Sequence, residues 1–390
     1  MDFRFSPEDE AYRSEVGEFV DKELPWDWRT RAVDPEEPDD AVLVKQFKKK
    51  LAGNGWLTMA WPEEYGGQAA PHIRQLVFNE EMARRGVPAS DAGIRMVGPI
   101  LMLYGTEDQK QYFLPRIAQS EINWAQGYSE PDAGSDLASL QTRAVEDGDD
   151  FVVSGSKIWN SAHAGCNWMF MLARTDTDAP KHRGISFMLT EMDAPGITVE
   201  KIPMMWNAYR SLVTFENVRI PKKNLVGEQN RGWYVGAALL DFERSGVDRP
   251  ARARRVLEEL VQFCKDNTRN GNTLAEDPVI KHRLANMAVE IETCRLMCYN
   301  VAWMQSQSLI PNREASITKA FGSEMMQRIY RLGMQLLGLH GQLEPGSKWA
   351  ALQGRIENAF MRAGGGTVAA GTSEIQRNVI ATRGLGLPRG

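Results

Sequence analysis

From the N-terminus to about residue 120, apolar residues recur at the three- and four-residue spacing of amphipathic helices. "SPEDEAYRSEVGEFVDKEL" opens with Ser6 in N-cap position and Pro7 at the first helical position. Acids then crowd its first turn, where the helix dipole favours negative charge. "AVLVKQFKKKLAGNGW" carries the same spacing and stops at Gly53-Asn54-Gly55. "WPEEYGG" reads as a loop, after which "PHIRQLVFNEEMARRG" and "EDQKQYFLPRIAQSE" return to helix. Near Ile122 the period drops to two. "QTRAVEDGDDFVVSGSKIWNSA" alternates around an Asp-Gly turn, and "WMFMLART", "GISFMLTEM", "GITVEKIP" and "RSLVTFENVRIP" follow, each bounded by Gly, Pro or Asp. From Gly232 the helical period resumes and runs through four or five amphipathic segments. The pattern predicts an α+β fold: an N-terminal helical domain (1–121), a central antiparallel β barrel or sandwich (122–231) and a C-terminal helical bundle (232–390).

Bulk properties narrow the function. A chain of 390 residues exceeds the ~250–300 at which one core stops growing. The net charge of -5 argues against a partner held by phosphate neutralisation, so no nucleic acid is expected. The opening lacks a basic region followed by an apolar run, and nothing approaches ~20 consecutive apolar residues. A cytoplasmic enzyme without a membrane span is the expectation. The 4 cysteines are too few for a disulfide framework. Cys294 and Cys298 are expected to be small buried thiols, because no second His/Cys pair completes a metal site.

The chemistry-bearing text is concentrated in a few places. "QGYSEPDAGSDLASLQT" (126–142) offers backbone N–H groups and hydroxyls to an anion or a polar ring, although a plain turn reads the same way. "AGGGTVAAGTSEIQR" (363–377) offers almost no side-chain chemistry; Gly364 to Gly366 suit a backbone closing over something, and Ser373 with Gln376 has capping-box spacing for a last helix. "YSEPDAGSD", "VVSGSKIWNSA", "FENVRIPKKNLVGE", "GMQLLGLHG" and "AAGTSEIQR", with "YGTEDQKQYFLPRIA" ahead of them, resemble the acyl-CoA dehydrogenase family in order and spacing. The resemblance covers essentially the whole chain.

It implies an FAD flavoprotein that converts an acyl-CoA thioester to the 2-enoyl-CoA. A base removes the α-proton, the β-hydrogen leaves as hydride to flavin N5, and donors hold the developing enolate oxygen. Matched position by position, Gln126, Tyr128 and Ser129 fall at the flavin ring, and Ser135 near the flavin phosphates and the CoA arm. Trp159 covers the flavin and Ser161 lies near N5. Without the family, these two would read as a core Trp and an edge-strand Ser. Gln335, Gly338 and Gly341 match a turn that reaches a neighbouring subunit's FAD, and Thr372 and Glu374 fall at the cofactor. Asp241, Arg244 and Gly371, with Ser135, match substrate positions. The "R–x–x–F–G" turn of the family reads "KDNTRNGN" here, so the Phe is absent and Arg269 is displaced relative to Gly271.

The catalytic carboxylate of many members lies in "Y-E-G-T", where this chain has Ala369-Ala370-Gly371-Thr372. Ala370 stands in place of the acid, and its backbone N–H remains available to the thioester carbonyl. The base then comes from elsewhere or dehydrogenase activity is lost. Glu243 in "GAALLDFERSGV" has Leu239, Leu240, Gly246 and Val247 at helical neighbour positions, a costly place for an unpaired carboxylate. From that pattern alone, a salt bridge serves as well as a catalytic role. Similarity to the isovaleryl-CoA and long-chain branches, whose base lies on this helix, favours Glu243; Asp91 is a weaker candidate. "DRPARARR" (Arg249, Arg252, Arg254, Arg255) suits either an anionic partner or pairing with nearby acids. The resemblance implies an electron-transfer flavoprotein as acceptor and a homotetramer, or a heterotetramer with a homologue. A branched, cyclic or bulky acyl group is expected, with Trp206, Tyr209 and "PMMW" at its pocket or in the core. A non-catalytic half-site subunit and an oxygen-using flavin oxidase or monooxygenase are the alternatives.

Overall fold

The structure is a computed structural model, described for residues 4–28, 38–87, 92–206, 208–238 and 245–388. Helix α1 (Pro7–Glu23) starts as its sequence dictates: the Asp9 N–H donates to Ser6 Oγ at 3.1 Å. Helices α2 (Pro38–Gly53), α3 (His72–Arg84), α4 (Gly98–Tyr104) and α5 (Glu107–Ala118) follow, the last closed by a Thr106/Gln109 capping box. Strands β1 (Trp124–Gly127), β2 (Arg143–Asp147), β3 (Asp150–Asn160), β4 (Trp168–Arg174), β5 (Ile185–Glu191), β6 (Ile197–Pro203), β7 (Tyr209–Pro221) and β8 (Leu225–Val226) form one sheet. Its order is β6-β7-β3-β2-β4-β5-β8, with β1 on β4. The β2–β3 hairpin turns at Gly148, where φ is 60°. Most pairs are antiparallel, but β1 and β2 both meet β4 in parallel. After α6 (Gly232–Ala238) come α7 (Asp248–Asp266), a ministrand pair β9 (Thr268–Arg269) and β10 (Asn272–Thr273), then α8 (Pro278–Ser306), α9 (Asn312–Leu337), α10 (Arg355–Gly366) and α11 (Ser373–Val379).

Packing divides the chain into two units. One holds Met1–Asp40, Ala70–Ala89 and Arg244–Gly390. Its core is the inner faces of α7, α8 and α9, including Leu260, Cys264, Ile291, Cys294, Cys298, Met325 and Ile329. Cys294 and Cys298 are buried thiols, as expected. Glu80 on α3 is buried here, and the Tyr299 hydroxyl and Arg13 Nη1, at 2.8 Å each, satisfy its carboxylate. The other unit holds Ala41–Ala69 and Ser90–Glu243. Its sheet encloses Ala125, Phe151, Val153, Met169, Met171, Met188, Val213 and Phe215.

Two local expectations fail. The last helix is capped by Thr372, whose Oγ1 accepts from the Ile375 N–H at 3.2 Å, rather than by Ser373, the first helical residue. A Thr one position earlier supplies the same oxygen with the extended backbone a cap needs. Gly364, Gly365 and Gly366 are not a loose closing loop; they are the last turn of α10, with nothing near where a side chain would be.

Candidate functional site

In the sheet unit the loop after β1 is fastened to β3. The Ile158 N–H donates to the Ser129 carbonyl at 2.9 Å. Lys157, fully buried, sends its ammonium to Glu130 Oε1 at 2.7 Å and to the Tyr128 carbonyl at 3.3 Å. Glu130 also accepts from the N–H groups of Gln141 (2.6 Å) and Thr142 (2.9 Å). Burial opposes its charge, but the Lys157 ammonium and these donors hold the Glu130 carboxyl below the usual carboxylate range. Burial pulls Lys157 down to about 8 against the attraction of Glu130.

This frame presents Trp159 and Ser161. A register shift between Ile158 and Asn160 puts a bulge at Trp159, whose φ is +67°. Bulges re-aim side chains, and a bulky residue at positive φ persists only where its surroundings over-determine it. The Trp159 side chain is 53% exposed, so it is not the core residue its sequence context also allowed. Asn160, buried beside it, accepts from the Ala162 N–H at 3.1 Å and so fixes the turn carrying Ser161. The Ser161 hydroxyl has, among the described residues, only the Cys166 sulfur at 3.9 Å. Among the described residues, neither the hydroxyl nor the N–H of Ser129 meets a partner. An exposed indole on a strained bulge, with unpaired donors on the adjoining loop, fits a flat heteroaromatic ring rich in acceptors. Gly127 has no room for a side chain, since a Cβ there would lie 2.6 Å from Met169 sulfur. Gln126 and Tyr128 are half-buried and Ser135 is exposed. The Tyr128 hydroxyl is buried without a partner among the described residues, and burial raises its pKa.

In the helical unit the terminal loop is also strained. Ala370 has φ +56° and Gly371 φ +86°. Gln376 Nε2 donates to the Ala370 carbonyl at 3.2 Å, and the Lys319 ammonium to the Gly371 carbonyl at 2.5 Å. The N–H groups of Ala370, Gly371 and Thr372 donate to nothing among the described residues. Successive left-handed residues with free N–H groups form a concave donor surface for a negative oxygen. The left-handed region costs an L-residue about 1–2 kcal/mol and a β-branched one more. Ala370→Val is therefore expected to lower turnover at least about tenfold, while Ala370→Gly keeps activity and raises the melting temperature slightly. Steady-state rates and thermal scans of the two variants check this.

Thr372 and Glu374 line an open polar cavity of about 500 Å³ with Gln327, Arg331, Thr367 and Arg377. Gln335 ends α9 and accepts from Arg283 Nη2; Gly338 follows with φ +60°, and Gly341 is buried. Arg269 is exposed on the β9–β10 turn, where Asn270 and Gly271 both have positive φ. In "DRPARARR", Arg252 pairs with Asp248, Arg254 with Glu258 and Arg255 with Glu259, so these three follow the pairing alternative. Trp206 is half-buried and Tyr209 exposed, so neither is core. Glu243, Asp241, Arg244 and Asp91 lie outside the described residues.

Sequence reading missed Glu130, Lys157 and Lys319. A signal existed: Lys157 shares the inward period-two face of Phe151 and Val153, and Lys319 has the buried small residues Ala315, Ser316, Gly322 and Ser323 at helical neighbour positions.

Three family models cover the chain: acyl-CoA dehydrogenase N-terminal domain over residues 6–121, middle domain over 125–218 and C-terminal domain over 230–385. Acyl-CoA dehydrogenase FadE26 of Mycobacterium tuberculosis is 34% identical over 100% of this chain and 99% of its own length. Among solved structures, the Tcur3481-Tcur3483 steroid ACAD matches at 35% identity with a TM-score of 0.91, covering 100% of both chains. The ChsE4-ChsE5 complex from M. tuberculosis matches at 34% with a TM-score of 0.90, again over 100% of both. The protein is thus an oxidoreductase of the flavoprotein class. It belongs to the acyl-CoA dehydrogenase family, and FAD is its cofactor, as in the family's other members. No helix among the described residues is long and apolar enough to cross a membrane.

Proposed function

We propose that the protein dehydrogenates the α,β-bond of a bulky, polycyclic acyl-CoA of the steroid-acid type. The observation that carries this is the terminal loop: free N–H groups on a left-handed backbone, with only the methyl of Ala370 where many members have a carboxylate. The loop keeps its donors for the thioester oxygen and leaves volume beside the acyl group. The full-length likeness to a protein named as a steroid ACAD supports the substrate class.

In this reading Glu243 takes the α-proton, and the Ala370 N–H stabilises the oxygen as negative charge grows on it. Gln126, Tyr128, Ser129, Trp159, Ser161, Thr372 and Glu374 hold FAD, with Ser135 shared with the CoA arm. Gln335, Gly338, Gly341 and Arg269 serve a neighbouring subunit's cofactor. Asp241, Arg244 and Gly371 are substrate contacts, and the chain groups with the isovaleryl-CoA/long-chain branch. When bound, FAD supplies the hydride acceptor. A panel of acyl-CoA thioesters with a dye acceptor tests the substrate class. Steroid-acid thioesters are expected to exceed straight-chain ones in kcat/KM by at least about tenfold; equal or better straight-chain turnover sinks the assignment. Rapid air oxidation with peroxide formed would instead favour an oxidase. Electron-transfer flavoprotein is the proposed acceptor.

A second reading concerns assembly. Two structural neighbours carry names that pair two components, Tcur3481-Tcur3483 and ChsE4-ChsE5, which supports a heterotetramer with a homologue over a homotetramer. Light scattering and the FAD-to-chain ratio of the protein purified alone separate the two: a tetramer with one FAD per chain contradicts the heteromeric reading.

A further inference from the structure

We propose that Lys319 is a positioning residue, which holds the terminal loop so that the Ala370 N–H faces the thioester oxygen. This rests on the reading of Ala370 as the donor; the clamp itself stands on geometry in the helical unit.

Lys319 sits on α9 with 9% exposure, and the carbonyl of Gly371 accepts from its ammonium. Small buried neighbours on its own helix, Ala315, Ser316, Gly322 and Ser323, let the long side chain lie inside. The same Gly371 carbonyl accepts from Gln376 Nε2 at 3.4 Å, and the Ala370 carbonyl from that nitrogen at 3.2 Å. Within a peptide plane, C=O and N–H point opposite ways. Pinning both carbonyls on the Lys319–Gln376 side therefore turns the Gly371 and Thr372 N–H groups away from it. It also fixes the position from which φ of Ala370, +56°, sets the direction of the preceding N–H. Freed of the clamp, Ala370 would relax to negative φ, which L-residues prefer, and its N–H would swing off.

The charges facing the ammonium are Arg249 from α7, Glu324 from α9 and Glu374 from α11. Arg249 lies tight against the chain: a Cβ at Gly246 would be 2.7 Å from its Nη1, and one at Gly322 3.1 Å from its Cδ. Burial first, and Arg249 next, pull Lys319 down to about 8 while the two glutamates oppose them. The charge-assisted bond therefore weakens as pH rises through about 8. The linkage has the opposite sign for global stability. Between that value and the ordinary lysine value of 10.5, the unfolded chain binds more protons, so Lys319's contribution to stability rises with pH while the clamp loosens. Loop order and global unfolding thus move apart, which a residue that merely supports the fold would not produce.

The test uses the FAD-loaded protein. Hydrogen exchange is followed at the amides of Ser373 and Gln376, which donate to the carbonyls of Thr367 and Thr372. After correction for intrinsic rates, wild-type protection is expected to fall as pH passes about 8. Lys319→Met should lack that protection throughout, and Lys319→Arg should keep it at every pH. If wild-type protection ignores pH, or Lys319→Met matches wild type, the clamp is overturned; the wild-type series holds even if Lys319→Met fails to fold. Infrared spectra of bound pivaloyl-CoA, labelled with ¹³C at the thioester carbonyl, then read the donor. This thioester has no α-proton and cannot react. The carbonyl stretch should lie lower in wild type and Lys319→Arg than in Lys319→Met, with kcat of Lys319→Met down about 10- to 100-fold and KM little changed. An unchanged stretch in Lys319→Met overturns the positioning role. Failure of wild type to bind the probe counts against the acyl-CoA reading of the loop, while the exchange data still judge the clamp.

Discussion

Glu243→Gln is expected to lower turnover by about a thousandfold or more while leaving FAD bound. A positioned general base contributes about 10²–10⁴-fold, and Gln keeps size and polarity while removing the basic lone pair. The expectation starts from the terminal loop, where Ala370 supplies no proton acceptor and its neighbours Ala369, Gly371 and Thr372 supply none either. It continues with the pattern around Glu243. Leu239 and Leu240 precede it at four- and three-residue spacing; the helical pattern does not run on past it, since Gly246 stands at φ +65° and α7 begins only at Asp248. Flavin absorbance per chain separates loss of chemistry from loss of cofactor. A second variant sharpens the point: Glu243→Gln with Ala370→Glu moves the carboxylate to the loop position other members use. Recovery of about tenfold or more over Glu243→Gln alone would show that the two positions reach one α-carbon. Unchanged turnover in Glu243→Gln, measured with the best thioester of the panel, would remove Glu243 as the base and favour the half-site reading.

What the sequence disclosed and what it hid follow from the range of the interactions. Helix starts are written within four residues, so Ser6 with Pro7 marked α1 correctly, and the Asp-Gly turn marked the β2–β3 hairpin. The same short range explains the failure at α11, where Thr372 and Ser373 are adjacent capping residues and only the backbone decides which serves. Gly364 to Gly366 misled because glycine disfavours a helix by about 1 kcal/mol each, yet α10 runs through all three. The motif residues were legible as matches, but the geometry that makes Trp159 unusual was not. Its positive φ depends on a register slip against β7, which no local pattern announces. The charged frames are longer-range still: Lys157 meets Glu130 across 27 residues, and Lys319 meets Gly371 across 52. Each lysine's inward phase was visible; its partner was not.

The Lys157–Glu130 pair should show the largest effect on stability. Lys157→Met leaves the buried Glu130 carboxylate without its bonded ammonium, with Arg174 acting on it only through space, and breaking such a pair costs about 3–5 kcal/mol. For a unit of this size that is a fall of about 10 °C in melting temperature. Because the same ammonium bonds the Tyr128 carbonyl, the loop carrying Ser129 loses a tether and FAD affinity should fall with stability. A plain apolar replacement of both partners would not restore the site, since the Gln141 and Thr142 N–H groups would lose their acceptor. Lys157→Met with Glu130→Gln keeps an acceptor oxygen and removes the charge, so it should recover roughly half of the loss. A double variant no better than Lys157→Met alone would mean that packing, not the unpaired carboxylate, sets the cost. Acid provides an independent check. Glu130 titrates below its ordinary value of 4.5, so its stabilisation is complete above that value and is lost as pH falls through the lower folded one. The stability gap between wild type and Glu130→Gln should therefore be full near neutrality and close in acid. A gap that stayed constant through the acid range, instead of closing as Glu130 takes up its proton, would show that the carboxylate's charge is not what Lys157 holds.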